Sequence, residues 1–88
     1  MDAFVYVRDR MPYGLDEIEE ALEEALNGSG EVTGSGAGVK GSNFDIEIFD
    51  EKADLAAALR IIRGALAQFR LPSSSVIVIN EVEYPINS

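Results

Sequence analysis

Glu31-Val32-Thr33-Gly34-Ser35-Gly36-Ala37-Gly38-Val39 is the stretch on which the fold turns. Read as a loop, it leaves the chain with three strands separated by two helices. Read as a strand, it completes the order strand, helix, strand, strand, helix, strand. Its glycines lower strand propensity, but Gly34, Gly36 and Gly38 share one parity. An extended chain therefore strips the side chains from one face of the sheet there, which leaves a groove or admits another backbone at close range. Residues 28–41 hold six of the eight glycines, so the special composition is confined to this place.

Working outward, residues 43–49 alternate Phe44, Ile46 and Ile48 with Asp45, Glu47 and Phe49, the period of a half-buried strand. On the other side, Leu15, Ile18, Leu22, Ala25 and Leu26 fall within about 100° on a helical wheel, the width of a stripe that docks on a core. Gly14 opens this helix, predicted over about 14–27, and Asn27-Gly28 tolerates the left-handed geometry that closes it. Residues 3–8 form a first strand that stops before Met11-Pro12. A second helix runs from a cap at Asp50 to about Phe69, with Leu55, Leu59, Ile62, Leu66 and Phe69 as its apolar stripe. Leu71-Pro72 ends it. After the turn at Ser73 to Ser75, residues 76–79 form an apolar strand, and the continuation over 82–86 is weakened by Pro85.

This β-α-β-β-α-β order is α+β and resembles the ferredoxin-like fold. The resemblance implies a four-stranded antiparallel sheet with two helices on one face, and it rests on element order across the whole chain. The length, 88 residues, gives one domain over 1–88 with a single core. The open face is expected to gather Phe4, Tyr6, Phe49 and Ile77 or Ile79 into an apolar patch suited to a partner or a second copy. Arg8 is expected beside Asp45 and Glu47 there, pairing charges across strands.

The strongest charge feature is Asp16, Glu17, Glu19, Glu20, Glu23 and Glu24, six carboxylates with no basic residue among them. Asp16 and Glu17 complement the positive end of the helix dipole, whereas Glu23 and Glu24 oppose it at the other end. Asp16/Glu20, Glu19/Glu23 and Glu20/Glu24 are like-charge pairs one turn apart, together costing about 1 kcal/mol. Arg60, Arg63 and Arg70, with Lys52, lie within about 80° on the second helix. In a two-helix layer this stripe is expected to neighbour the acids of the first helix.

The formal net charge of −9 argues against nucleic acid and against anionic membranes as partners. The chain has neither cysteine nor histidine, which removes thiolate and imidazole metal sites, disulfides, and cysteine or histidine catalysis. No catalytic set, metal or cofactor is expected. The absence of a long apolar run points to the cytoplasm.

Gly38-Val39-Lys40-Gly41-Ser42-Asn43-Phe44 is similar to the phosphate loop of acylphosphatases, a ferredoxin-like family whose Phe is followed by a phosphate-binding arginine. Asp45 holds that position here, and the stretch precedes the third strand instead of following the first, so the activity is not carried over. In size and charge the chain also looks like small acidic inhibitors of basic enzymes, bacterial immunity proteins among them. The sequence therefore predicts a non-enzymatic module whose residues Asp16, Glu17, Glu19, Glu20, Glu23 and Glu24 dock a basic protein. The alternative is a dimeric ligand-binding or regulatory domain in which Gly34, Gly36, Gly38 and Lys40 line a pocket or pair an edge, with homodimerisation through a sheet face or an edge strand.

Overall fold

A computed structural model describes residues 1–86. Its elements run β1 (Asp2–Val7), α1 (Leu15–Leu26), β2 (Gly30–Gly38), β3 (Gly41–Ile48), α2 (Leu55–Leu66), β4 (Val76–Ile79) and β5 (Val82–Pro85). The fold is α+β, with one five-stranded sheet in the order β2-β3-β1-β4-β5 and every neighbouring pair antiparallel. The glycine-rich stretch is therefore a strand, and it lies at the sheet edge.

The sheet has one strand more than the four expected. Asn80 (φ 53°) and Glu81 (φ 66°) both adopt left-handed geometry, so the chain reverses in a tight two-residue turn and pairs Val82 with Ile79. Pro85 does not prevent this, because β5 is an edge strand and a missing N–H there breaks no inner ladder.

The pleat sorts the two faces. Ala3, Val5 and Val7 of β1, Phe44, Ile46 and Ile48 of β3, and Ile77 and Ile79 of β4 are all buried, against Ile18, Leu22 and Leu26 of α1 and Ala58, Ile62, Ala65 and Leu66 of α2. Both helices thus cover the same face. The other face carries Phe4 and Tyr6 of β1, which stand opposite Val78 and Val76 of β4. Ile77 and Ile79 are corrected accordingly: they are core residues, and the valines between them occupy the open side.

Helix ends follow local chemistry. The Gly14 N–H donates to the Glu17 carboxylate at 2.8 Å, and Asn27 closes α1 at φ 45° with its N–H bonded to Glu23 O. α2 is shorter than expected at both ends. Asp54, not Asp50, is its cap and accepts from the Ala57 N–H at 2.9 Å. Asp50 instead accepts from the Met1 ammonium at 2.9 Å. Beyond Leu66 the chain turns, which frees Phe69 to stack edge-on against Tyr13 with centroids 4.9 Å apart. The Tyr13 hydroxyl accepts from the Arg70 N–H at 2.8 Å, so the loops before α1 and after α2 are tied together. No helix among the described residues is long and apolar enough to cross a membrane.

Candidate functional site

The six carboxylates of α1 fall into two groups by what they touch. Glu17 accepts from the Gly14 N–H. Glu23 Oε1 accepts from the Val32 N–H at 2.6 Å, and Glu19 accepts from the Ser35 hydroxyl, so these two reach across to β2. Asp16, Glu20 and Glu24 accept no side-chain hydrogen bond among the described residues. Asp16, Glu19, Glu20, Glu23 and Glu24 together line a shallow concavity of about 550 Å³ on the outer surface of α1. All the hydrogen-bond donors named here are neutral, so the negative charge of the row stays uncompensated.

The basic stripe of α2 does not neutralise this row. Ion pairs among the described residues join the Met1 ammonium to Glu47 and Asp50, and Arg8 to Glu83, and none includes an acid of α1. Arg60 and Glu24 do line one groove between the helices, yet they form no ion pair within 4.0 Å. Arg63 is turned away to β5, where its Nε and Nη2 donate to Pro85 O at 3.1 and 2.9 Å. The physical reason is the fifth strand, whose exposed carbonyl offers the guanidinium fork a fixed acceptor within reach.

The open sheet face also differs from expectation in its charges. Asp45 stands opposite Phe4 and Gly34, and its carboxylate accepts from Asn43 Nδ2 at 3.4 Å. Arg8 passes over it and joins Glu83 of β5 at 3.0 Å, a partner the four-strand reading had no means of supplying. Asp45 and Glu47 gather no third acidic ligand, and no group of three such side chains forms a cation site among the described residues.

Gly34, Gly36 and Gly38 lie opposite Asp45, Asn43 and Gly41, so all three face the open side as their parity predicts. Where they lack side chains, a cleft of about 840 Å³ opens between Tyr6, Arg8, Gly36, Gly38, Lys40 and Asn43. Lys40 and Arg8 bring two cations to it. Gly34 lies away from that cleft, beside Glu19, Glu23, Val32, Thr33 and Ser35 in a separate groove of about 250 Å³ between α1 and the β2 edge. The sequence signal for this second groove was present in the acids at 19 and 23 but required the strand assignment to be read.

Comparison with protein-family models, with curated proteins and with solved structures gives no match for this chain.

Proposed function

We propose that this chain is a non-enzymatic binding module on a ferredoxin-like frame, the β5 hairpin being an addition to it, and that it docks a basic protein through α1 in the manner of an inhibitor or immunity protein. The observation that carries this reading is the uncompensated acid row. A helix that tolerates Asp16/Glu20, Glu19/Glu23 and Glu20/Glu24 with no cation of its own pays a standing cost of about 1 kcal/mol, and a cationic partner relieves it. A field of this kind acts mainly on the rate of encounter and on partner choice.

Glu20 and Glu24 are the residues to reverse, because neither holds another part of the fold. Wild-type protein immobilised at low salt is expected to retain a basic protein from lysate, with an association rate that falls steeply as salt is added. Glu20→Lys with Glu24→Lys is expected to slow that association about tenfold or more. Recovery of no basic protein, or equal retention by the variant, overturns the reading.

The cleft beside Tyr6 favours a second reading, a small-ligand domain. A ligand seated there is expected to raise the melting temperature in a metabolite screen, and Gly36→Val, which fills the cleft, is expected to remove the rise. A screen in which no compound shifts the wild type excludes it.

A further inference from the structure

The β2 edge is guarded along only part of its length. At its start, Glu23 occupies the Val32 N–H, Glu19 holds the Ser35 hydroxyl, and a bulge between Val32 and Gly34 interrupts the ladder. These are devices that blunt an exposed strand. From Gly36 to Gly38 the edge has none of them, and at Ser35 only the hydroxyl is engaged.

The ladder fixes which groups point outward there. Ile48 donates its N–H to Met1 O and Phe49 donates to Ser29 O, so Ile48 turns its own backbone to β1 and away from β2. In an antiparallel ladder this choice alternates along the strand. Ile46, Phe44 and Ser42 therefore also turn to β1, and the residues opposite the last two, Ser35 and Ala37, point their N–H and C=O groups into solvent. Gly36, between them, points its own inward to Asn43.

We infer that β2 pairs antiparallel with β2 of a second copy about a twofold axis through Gly36, forming a homodimer with one continuous sheet. The segment Gly34-Ser35-Gly36-Ala37-Gly38 reads nearly the same in both directions. Centred on Gly36, the pairing sets Ser35 against Ala37 of the second copy and Ala37 against Ser35, the outward-pointing residues in each case. About four interchain hydrogen bonds form, two at each such pair. Gly36 meets Gly36 at the closer, non-bonded spacing where side chains crowd most.

The same register supplies charge complementarity. Beyond Gly38 the strand ends, and the turn residues Val39 and Lys40 come alongside the bulged segment 32–34 of the second copy, next to the groove lined by Glu19 and Glu23. Val39 is 82% exposed, the most exposed large apolar side chain of the described residues, and gains cover there. Lys40, which lines the open-face cleft of its own chain, lies across the strand edge from the Glu19 and Glu23 carboxylates, which pair with no cation among the described residues. Two chains of net charge −9 repel one another, so the dimer is weak at low salt and strengthens as screening removes the long-range term. With a small contact area, a dissociation constant of order 10 to 100 μM is expected.

Sedimentation equilibrium over a concentration series that spans this range, at about 0.15 M salt, provides the test. The wild type is expected to show a reversible monomer–dimer equilibrium. Ala37→Pro removes only an outward N–H, so it leaves the β2–β3 ladder intact and is expected to weaken association at least about tenfold with an unchanged melting transition at low concentration. Lys40→Glu is expected to weaken it, and Lys40→Glu combined with Glu19→Lys to restore it, a rescue that a merely structural role for Lys40 would not give. A wild type that stays monomeric overturns the inference. So does a dimer indifferent to Ala37→Pro, which would place the contact on the open sheet face instead. None of these readouts depends on the basic partner, and none of the variants touches Glu20 or Glu24.

Discussion

Glu81 is held at φ 66° in the turn that launches β5. A residue with a Cβ pays about 1 kcal/mol for that geometry, whereas glycine adopts it freely. Glu81→Gly is therefore expected to stabilise the protein by up to about 1 kcal/mol in denaturant titration, the relief of strain being partly offset by glycine's greater freedom in the unfolded chain. Gly41 is the converse case: at φ 142° a Cβ would drive into Val7 O. Gly41→Ala is expected to cost about 2 kcal/mol or more, measured in the same way. The Met1 ammonium offers a pH test. Its hydrogen bond to Asp50, aided by the charges of Asp50, Glu47 and Asp2 and opposed by desolvation, holds its pKa above the ordinary value of 8.0. A raised folded pKa means that the contact stabilises in full below the unfolded pKa and is lost as pH climbs through the folded one. The melting temperature of the chain with a free Met1 amine should fall as pH climbs from the ordinary 8.0 through the higher folded value, and Asp50→Asn should make that fall shallower.

At the scale of elements, α1 is built against its own dipole at one end. Glu24 sits in the last turn, makes no side-chain hydrogen bond among the described residues, and lies one turn from Glu20. Glu24→Lys is expected to raise stability by about 0.3 to 1 kcal/mol at low salt and by less at high salt. Glu23, one residue earlier, is expected to behave differently, because its carboxylate also holds the Val32 N–H. The limits of α1 were legible in the sequence, since Gly14 and Asn27-Gly28 are local signals that act within one turn. The strand character of residues 31–39 was legible only through the element order that it completes. The second helix was read too long at both ends, because Asp50 and Phe69 each had a competing tertiary partner, the Met1 ammonium and Tyr13. Such partners lie far away in sequence, so no local pattern announces them. β5 was missed as a separate strand for a similar reason: Asn80-Glu81 lacks the glycine that usually marks a tight hairpin turn, and Pro85 argued against pairing without regard to whether the strand was inner or outer.

For the whole molecule, the acid row on α1 was visible in the sequence as a run of residue types, but its lack of an internal counter-charge depended on where three arginines went. The basic stripe of α2 had been expected to neighbour that row. Arg63 was drawn to Pro85 O, Arg60 shares the inter-helix groove without closing an ion pair, and Arg70 contributes its backbone to Tyr13. The two proposed surfaces, the outer side of α1 and the β2 edge, meet only at Glu19 and Glu23. Reversal at Glu20 and Glu24 should therefore keep the dimer and change it only by lowering the net repulsion between chains, while Ala37→Pro should leave docking to a basic partner in place.

The two borders of the sheet are unequal. On the β5 side the strand is only four residues long, ends in proline, and has its terminal carbonyl held by Arg63, so it offers little backbone for another strand to pair with. Once two molecules join along β2, both rims of the merged ribbon are of this kind. Growth halts at a pair, and a chain with an unguarded glycine border escapes the endless stacking that produces fibres.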